Sequence, residues 1–398
     1  MDGKKSINIG LIGQQFMGRA HSNAWTQARH FCSPPLNPVL HTICARNMET
    51  LIPFSELWGW QNTCNDYEAM CRSPEIDLVD VTAQNHMHLA MSKAALAAGK
   101  AVACEKPLAG KFEDAREMAA LARKSDAPTF VWYNYRSCPA VAYARQLVRE
   151  DAIGTIRHVR GFYLQDWADE SVPLLWRFDG DISGSGSHGD LCAHTIDMVR
   201  FVTGEEITEI NGALFETFIK ERAQVTKVSG GGIAANVSGS GDAEMVPVTV
   251  DDAVLFLSRL EGGAVCSFEA TRMATGRQNY NGLEINGTKG SVRFNFERNN
   301  ELEYYDATGP RGRQGWRTIM CTHEPDHPYS QFWWPDSHGT GYEHAFINMA
   351  ADILRVLAGE EPISPMPDFE DAFKTQCVLE AVTQCFNEQR TIKLSEVT

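Results

Sequence analysis

A chain of 398 residues, with 43% hydrophobic and 22% charged side chains, is long enough for two domains and has an ordinary globular composition. Its net charge of −15 argues against nucleic acid or an anionic membrane as partner, because both favour a basic face. No apolar run approaches the roughly 18 residues of a membrane helix. The polar N-terminus predicts no signal peptide, and the eleven cysteines include no C-x-x-C pair, so we expect a cytoplasmic protein with reduced thiols.

The first predicted element is an apolar strand at residues 7–12, followed by a glycine turn and a helix to about Ala28. This order is typical of a site for a dinucleotide pyrophosphate, because backbone N–H groups and the helix dipole favour an anion there. We predict cofactor contacts from five residues of the turn: Gly13, Gln15, Phe16, Met17 and Gly18. Gln15 departs from the G-x-G-x-x-G pattern, in which this position is glycine.

The second predicted strand, residues 39–44, ends at Ala45 and Arg46. An NAD-selective site usually has an acidic residue there, which binds the ribose 2′-hydroxyl. A small residue beside an arginine suits a 2′-phosphate instead, because guanidinium binds phosphate through two hydrogen bonds. We therefore predict that Ala45 and Arg46 contact an NAD(P) cofactor, and the pattern favours NADP over NAD. The alternative is that Arg46 is a solvated surface residue or stacks on adenine.

Strands and helices continue to alternate up to residue 137, which predicts a doubly wound parallel sheet and a dinucleotide-binding Rossmann domain over residues 1–137. The predicted strands are 76–82, 101–104 and 129–133, and the predicted helices are 86–98 and 113–124. Glu105 and Lys106 follow the buried strand 101–104, at the strand end where ligands bind in such sheets. Asn85 and His88, after the strand that ends at Thr82, are further candidate contacts to the cofactor or substrate.

Beyond a helix at residues 140–150 the pattern becomes rich in strands. The predicted strands are 156–165, 248–260, 264–271, 283–286 and 291–296, and helices at 342–357 and 370–384 follow. Few helices interrupt these strands, so we predict an α+β domain over residues 138–398 with a large open, mostly antiparallel sheet, and an α/β fold class for the chain. The Gly/Ser/Ala-rich stretch between Gln224 and Pro247 predicts a surface loop or an oligomer-contact arm.

A further helix is predicted to begin at Gly189, and on it Asp190 and His194 would project from one face because they are four residues apart. Oxidation of a secondary alcohol needs a base for the hydroxyl proton, and His194 is a candidate because imidazole titrates near neutral pH. Asp190 would bind a neighbouring hydroxyl or hold the imidazolium, unless it only caps the helix. Lys106 would stabilise the developing alkoxide or ketone oxygen, or act as the base itself. The sequence does not divide these roles.

Several aromatic and polar residues suit a sugar, whose C–H faces stack on rings while its hydroxyls need fixed polar partners. The predicted substrate contacts, besides Lys106, Asp190 and His194, are Tyr135, Tyr163, Gln165, Trp167 and Arg177. Strand alternation would place Tyr163, Gln165 and Trp167 on one face, although simple packing is the alternative for such aromatic residues. His86-x-His88 and His323-x-x-x-His327 have ligand-like spacings, but no cysteine cluster accompanies them, and we expect no metal site.

In order and spacing, the glycine turn, Glu105-Lys106-Pro107 and Asp190-x-x-x-His194-x-x-Asp197 resemble the Gfo/Idh/MocA oxidoreductases, over essentially the whole chain. Within that family the pyranoside dehydrogenases are the most similar. The resemblance implies NAD(P)-dependent oxidation of a ring hydroxyl, such as that at C3, of a sugar, anhydrosugar or glycoside. It also implies a cis peptide bond before Pro107 and a homo-oligomer, dimer or tetramer, that uses the open sheet. Gln15 and Ala45 depart from the family's pattern.

Two other functions stay open at this point. One is redox-neutral chemistry on a 3-keto sugar, such as elimination, epimerisation or glycoside cleavage, with a retained cofactor. The other is a non-catalytic sensor that binds dinucleotide and sugar.

Overall fold

The computed structural model describes residues 4–224 and 244–397, so most of the Gly/Ser/Ala-rich stretch between Gln224 and Pro247 lies outside the described residues. The chain forms two compact units. The described part of the first comprises residues 4–137 and Gly341–Phe373, and that of the second comprises residues 138–224, 244–340 and 374–397. The sequence analysis placed residues 138–398 in one domain, whereas Gly341–Phe373 belong to the first unit.

The first unit is built on a parallel sheet with the strand order β3-β2-β1-β4-β5-β6 in the described residues. Its strands are β1 (Ser6–Ile12), β2 (Asn37–Cys44), β3 (Asn62–Cys64), β4 (Leu78–Val81), β5 (Ala101–Cys104) and β6 (Thr129–Val131). The order reverses between β1 and β4, and ligands of such sheets bind beyond the carboxyl ends of the strands at that point. The predicted Rossmann architecture is thereby confirmed.

The second unit contains a mixed sheet with the described order β16-β15-β14-β13-β7-β12-β11-β8-β17, in which only β7 and β12 pair in parallel. The remaining strands are β7 (Ile156–Leu164), β8 (Ile207–Glu216), β9 (Glu221–Ala223), β10 (Met245–Pro247), β11 (Ala253–Leu260), β12 (Val265–Thr271), β13 (Tyr280–Gly287), β14 (Gly290–Asn295), β15 (Glu301–Asp306), β16 (Trp316–Met320) and β17 (Ile392–Lys393). The predicted open, mostly antiparallel sheet is confirmed. Seven of the described strands were not predicted: β3, β8, β9, β10, β15, β16 and β17. Four of them have three residues or fewer, and β16 is largely exposed.

Helices are present at the predicted positions after the glycine turn and near 86–98, 113–124, 140–150, 342–357 and 370–384, whereas Met48–Trp58, Tyr67–Arg72 and Gly180–Ser183 are helices that were not predicted. The described helices are α1 (Phe16–Phe31), α2 (Met48–Trp58), α3 (Tyr67–Arg72), α4 (His88–Ala97), α5 (Phe112–Ala122), α6 (Pro139–Arg149), α7 (Gly180–Ser183), α8 (Ala193–Thr203), α9 (Tyr342–Leu357) and α10 (Phe369–Glu388). No helix among these is both long and apolar enough to cross a bilayer. Helix α9 packs on α1 in the first unit, where the rings of Tyr342 and Phe16 stack at 6.2 Å.

The large sheet has one covered and one open face. Helix α8 packs on the covered face at Gly161 of β7, where a Cβ would lie 2.9 Å from the ring of Phe268 and 3.4 Å from Val199. A glycine there lets the helix come close to the sheet. The other face carries exposed apolar side chains on neighbouring strands, among them Leu255 and Leu257 of β11. The covered face therefore holds the core of the second unit and the polar residues described below.

Candidate active site

The turn after β1 needs its first and last glycines. Gly13 has a φ of +122°, and a Cβ on it would lie 2.4 Å from the Thr82 hydroxyl oxygen. A Cβ on Gly18 would lie 2.4 Å from the carbonyl oxygen of Gly13. Side chains do not fit at such distances, and a φ in that region favours glycine. The two glycines therefore allow the start of α1 to approach the turn and the end of β4.

Gln15 replaces the middle glycine without backbone strain. It precedes α1 with φ −82° and ψ −154°, angles that other residues adopt readily, and its side chain is exposed. Helix α1 then starts at Phe16 and Met17 with no acidic residue in its first turn. The free N–H groups and the positive end of the helix dipole suit an anion. The residues present therefore fit the pyrophosphate of a dinucleotide.

Ala45 and Arg46 lie at the carboxyl end of β2, beside the glycine turn. The amide of Gly13 donates to the carbonyl of Cys44 at 2.9 Å, which joins the turn to this strand end. Arg46 is exposed, and Asn47 after it caps α2 by accepting from the amide of Glu49 at 3.0 Å. The cap explains why the chain turns away directly after Arg46. An exposed guanidinium at this strand end fits an anionic group on the cofactor.

Lys106 lies at the carboxyl end of β5, at the same edge of the parallel sheet as the glycine turn. It is half-buried, and its peptide bond to Pro107 is cis, as the resemblance implies. The carboxylate of Glu105 is nearly buried and accepts a hydrogen bond from the amide of Lys106 at 3.0 Å. Asn85 is half-buried in the turn after β4, and Tyr135 is buried in the turn after β6. The first unit thus gathers these candidates beyond neighbouring strand ends.

His88 differs from its predicted role as a direct contact to cofactor or substrate. Its ring is fully buried, with Nδ1 3.0 Å from the carbonyl oxygen of Pro107 and Nε2 3.1 Å from that of Ala83. Burial lowers the pKa of His88, and the hydrogen bonds to these carbonyls oppose that effect. The ring therefore braces the loops that follow β4 and β5.

The helix predicted to begin at Gly189 begins instead with a π-helical turn, His188–Cys192, which continues into α8. The carboxylate of Asp251 accepts from the amides of Gly186 and His188, both at 2.8 Å. A Cβ on Gly186 would lie 1.7 Å from the carbonyl oxygen of Asp251, so glycine is required there. Asp190 belongs to the π-helical turn and His194 to the first turn of α8. Wide turns of this kind are frequent at functional sites.

Asp190 is held by an arginine that the sequence analysis did not identify. The guanidinium of Arg272 is buried and donates to the Asp190 carboxylate at 2.8 Å and to the carbonyl of Gly186 at 3.2 Å. Arg272 follows β12, the parallel neighbour of β7, so both strands end at the same edge. Its position directly after the predicted strand 264–271 could have identified this arginine. It was not singled out, because the carboxyl ends of neighbouring strands do not meet in the antiparallel sheet that was predicted.

A hydrogen-bonded row of side chains follows the end of β7. Trp167 donates to the amide oxygen of Gln165 at 2.8 Å. Gln165 and the hydroxyl of Tyr163 both donate to the amide oxygen of Asn279, at 3.2 and 2.6 Å. The His194 ring lies 5.8 Å from that of Tyr163. The structure therefore places Tyr163, Gln165 and Trp167 together, as strand alternation predicts, and adds Asn279, which lies just before the antiparallel partner β13.

Two other candidates lie near this row in the chain. The guanidinium of Arg177 stacks on the ring of Trp176 at 4.4 Å, and the carbonyl of Arg177 accepts from Arg272 at 3.4 Å. Asp197 is buried in α8. Arg177 is thus tied to the arginine that holds Asp190.

One cavity of the first unit lies away from the strand ends described above, and the described residues contain no metal cluster. This cavity, of about 800 Å³, is lined by Lys5, Asp77 and Pro128, which precede β1, β4 and β6. It therefore lies at the amino ends of the strands, away from Lys106. In the part of the chain that the structure describes, no three His, Cys, Asp or Glu side chains are grouped to hold a metal ion.

Comparisons with known proteins agree with this architecture. A family model described as an oxidoreductase family with an NAD-binding Rossmann fold matches residues 7–133, and a GFO/IDH/MocA C-terminal domain model matches residues 141–293. The levoglucosan dehydrogenase of Pseudarthrobacter phenanthrenivorans is 38% identical over 397 residues, which cover 99% of this chain and 100% of that relative.

Solved structures give the same result. A levoglucosan dehydrogenase in complex with NADH and levoglucosan matches with a TM-score of 0.89 at 37% identity, covering 98% of this chain and 100% of that chain. An oxidoreductase domain protein from Kribbella flavida matches with a TM-score of 0.90 at 42% identity, covering 98% and 99%. The chain therefore belongs to the Gfo/Idh/MocA family of oxidoreductases, and its residues 7–133 form an NAD-binding Rossmann domain.

Proposed function

We propose that this protein is an NAD(P)-dependent dehydrogenase that oxidises a ring secondary hydroxyl of a sugar, anhydrosugar or glycoside, with C3 as the expected position. The observation that carries the proposal is Lys106 at the carboxyl end of β5, at the same sheet edge as the glycine turn. A cation there can stabilise an oxygen that gains negative charge as its carbon is oxidised. The name of the levoglucosan dehydrogenase relative supports a sugar as substrate.

The cofactor is held by the turn residues Gly13, Gln15, Phe16, Met17 and Gly18, with Asn85 at the neighbouring strand end. When bound, its nicotinamide ring supplies the hydride acceptor. Arg46, beside Ala45, would hold the adenine ribose, and its guanidinium suits a 2′-phosphate. We therefore expect NADP to bind at least as well as NAD.

The chain's own residues move the proton and hold the substrate. His194 accepts the hydroxyl proton of the reacting carbon, because a neutral imidazole is a competent base near neutral pH. Asp190, held by Arg272 at 2.8 Å, accepts a hydrogen bond from a neighbouring hydroxyl. Lys106 donates to the oxygen that becomes the ketone.

The polar row and its rings suit a sugar ring. Trp167, Tyr163 and Tyr135 offer aromatic faces for C–H groups, while Gln165, Arg177 and the Tyr163 hydroxyl offer polar partners. Because Gln165 and Tyr163 already hydrogen-bond to Asn279, their orientation is set before a sugar arrives. Pre-orientation reduces the ordering cost of binding.

The test is a nicotinamide absorbance assay with NAD and NADP separately, over a panel of levoglucosan, pyranosides, free sugars and inositols. Lys106→Ala and His194→Ala should each lower kcat by about 10²- to 10⁴-fold. Lys93→Ala and His338→Ala, exposed residues of the first and second units, are the matched controls and should leave kcat unchanged.

Two results would contradict this function. No absorbance change with any member of the panel would exclude a dehydrogenase for these sugars. Turnover without added cofactor, found by product analysis, would replace it with redox-neutral chemistry that uses a retained nucleotide.

The open face of the large sheet supports self-association. Leu214 and Leu255 are cross-strand partners there, 58% and 45% exposed, and Leu257 and Val265 extend the apolar surface. Contiguous apolar patches of this kind are typical of protein interfaces. Analytical sedimentation should show a dimer or tetramer, and the variant Leu257→Lys should shift the protein to smaller species. The control is Leu57→Lys, at a residue of α2 that is 79% exposed, and it should leave the oligomeric state unchanged.

We expect this reaction in the cytoplasm, because the eleven cysteines are thiols in the structure, as suits a reducing compartment.

A further inference from the structure

His21 lies between two carboxylates in the interior of the first unit. It projects from α1 and is fully buried. Its Nδ1 is 3.0 and 3.1 Å from the two carboxylate oxygens of Asp80 on β4, and its Nε2 is 2.9 Å from Oε1 of Glu105 after β5. A single ring therefore joins the helix that follows the glycine turn to two strands of the sheet.

The remaining partners of the two carboxylates are groups that can only donate. Asp80 accepts from the indole N–H of Trp25 at 2.7 Å and of Trp132 at 2.9 Å. Glu105 accepts from the backbone N–H of Lys106 through Oε2 at 3.0 Å. Asp80 thus accepts on both oxygens, and Glu105 accepts on Oε2. A ring that donates from Nδ1 to Asp80 and from Nε2 to Glu105 completes this set of contacts, and such a ring is an imidazolium.

The electrostatics agree with this count of donors and acceptors. Burial alone lowers the pKa of His21, but the charges and hydrogen bonds of Asp80 and Glu105 outweigh it and raise the pKa to about 9. These two are the titratable groups that face the ring in the described chain. Its other neighbours are the rings of Trp132 at 4.2 Å and of Phe346, from α9, at 5.7 Å.

The network ends at the residue on which the proposed reaction depends. One oxygen of Glu105 is held by His21, and the other is bonded to the amide of Lys106. Hydrogen bonds at both oxygens restrain the rotation of this carboxylate, which in turn restrains the backbone of Lys106. A small displacement of a reacting group lowers the reaction rate by a large factor.

We infer that His21 is a positioning residue for Lys106: as a buried imidazolium it holds the Glu105 carboxylate, and Glu105 holds the Lys106 backbone. This inference rests on the proposed function, in which Lys106 acts on the reacting oxygen. In this role His21 itself contacts neither the cofactor nor the substrate.

Two substitutions separate the two ends of the network. In His21→Gln the amide nitrogen takes the place of Nε2 and keeps a donor for Glu105. In His21→Asn the amide nitrogen takes the place of Nδ1 and keeps a donor for Asp80 only. We expect kcat to fall by about 10- to 100-fold in His21→Asn and by clearly less in His21→Gln, with the sugar KM nearly constant in both. Met118→Ala, which removes another fully buried side chain of the same unit, controls for lost stability and should keep kcat.

A spectroscopic signature tests the charge of the ring separately. In protein labelled with ¹⁵N-histidine, His21 should show two ring N–H protons at about pH 8, where an ordinary histidine, with a pKa of about 6.5, is mostly neutral. The signals should be absent from the His21→Gln spectrum. A single ring N–H at that pH would overturn the inference.

The kinetic outcomes distinguish this inference from the function on which it rests. An active wild type whose His21→Asn variant keeps full kcat overturns the inference alone. Equal losses of kcat in His21→Asn and His21→Gln, in proportion to the fall in their thermal unfolding midpoints, also overturn it. Such losses would show that His21 has a purely structural role. A wild type that oxidises no sugar overturns the proposed function, and the positioning role with it.

Discussion

Two sets of hydrogen-bonded side chains, one in each unit, are held in opposite ways. In the first, the buried network Asp80–His21–Glu105 is ionised, and donors from Trp25 and Trp132 complete it. In the second, the row from Tyr163 to Trp167 is neutral and joined by amides and a hydroxyl. A buried charge needs every partner in place, whereas a neutral row tolerates the loss of one. The ionised network suits a fixed support, and the neutral row suits a surface that exchanges partners with a sugar.

Two fully buried histidines show how far surroundings decide charge. His21 has a carboxylate at each ring nitrogen, and they raise its pKa to about 9. His188 in the second unit has Nε2 2.9 Å from the carbonyl oxygen of Leu379, and burial lowers its pKa. Burial lowers the pKa in both cases, and carboxylates raise it in both, since Asp251 and Glu380 act on His188. The difference is that both carboxylates of His21 hydrogen-bond directly to its ring, whereas the ring of His188 is bonded to a backbone carbonyl.

The largest effect on stability is expected from breaking the ionised network. Asp80→Asn removes a charge from a fully buried site and leaves the His21 imidazolium with one carboxylate. Loss of one partner of a buried ion pair costs about 3–5 kcal/mol in the free energy of unfolding. Urea titration at pH 7 measures it. Glu117→Gln, which breaks the exposed pair with Lys93, should lower the free energy of unfolding by only about 0–1 kcal/mol. Equal losses of stability in the two variants would contradict a buried, charged network around His21.

The second prediction concerns pH. His21 has a folded-state pKa of about 9 against 6.5 for an unperturbed histidine. Its stabilisation is therefore complete below pH 6.5 and is lost as pH rises from 6.5 towards 9, by an amount on the order of 3 kcal/mol. For His188 the folded pKa is lowered, so its contribution is present above pH 6.5 and is lost as pH falls below it.

Unfolding midpoints across this range should separate the two histidines. His21→Gln should remove the alkaline loss of stability and keep the acidic one, and His188→Gln should do the reverse. The same pH profile in both variants would show that neither ring has the charge assigned to it.

The third prediction uses one chemical change in both units. Trp25→Phe removes an indole N–H that donates to a carboxylate at 2.7 Å, and Trp167→Phe removes one that donates to an amide oxygen at 2.8 Å. Hydrogen bonds to charged groups contribute about 1.5–3 kcal/mol and neutral ones about 0.5–1.5 kcal/mol. Denaturant titration should therefore show a larger loss for Trp25→Phe. An equal or reversed order would mean that Asp80 is not ionised.

The smallest effect on stability is expected at Tyr163. Tyr163→Phe removes a hydroxyl that donates to Asn279 at 2.6 Å, but Asn279 keeps the amide of Gln165. We expect a stability change of about 1 kcal/mol or less together with a raised sugar KM. Tyr305→Phe, which breaks a neutral bond to Gln314 on the same sheet, should change stability similarly and leave KM unaltered. A normal KM in Tyr163→Phe would remove this hydroxyl from the proposed sugar site.

Much of the fold could be predicted from local pattern. Strand β5 and helix α9 have the predicted bounds, and β1, β7 and α6 differ from them by one or two residues. Apolar periodicity and glycine turns carry this information within a few residues of each element. The elements that were not predicted include short ones, such as β3 and α3, and the exposed strand β16. Gly341–Phe373, which the prediction places in the second domain, lie in the first unit, where α9 packs against α1.

The site was predicted in part for the same reason. Lys106 and the glycine turn follow strand ends, so their placement at one edge of the sheet could be deduced from the order of elements. The shared face of Tyr163, Gln165 and Trp167 follows from strand alternation. Arg272 and Asn279 were missed because they meet Asp190 and Tyr163 across 82 and 116 residues of chain.

By itself, the sequence determined the element order, the dinucleotide turn and a lysine at a strand end, because each is a local pattern of a few residues. Only the tertiary structure decided which charges meet. His21 faces Asp80 and Glu105, 59 and 84 residues away, and His88 faces backbone carbonyls instead of a ligand. Whether a histidine is charged, braces a loop or supports a lysine depends on partners that strand order and register bring together, and no local pattern contains that information.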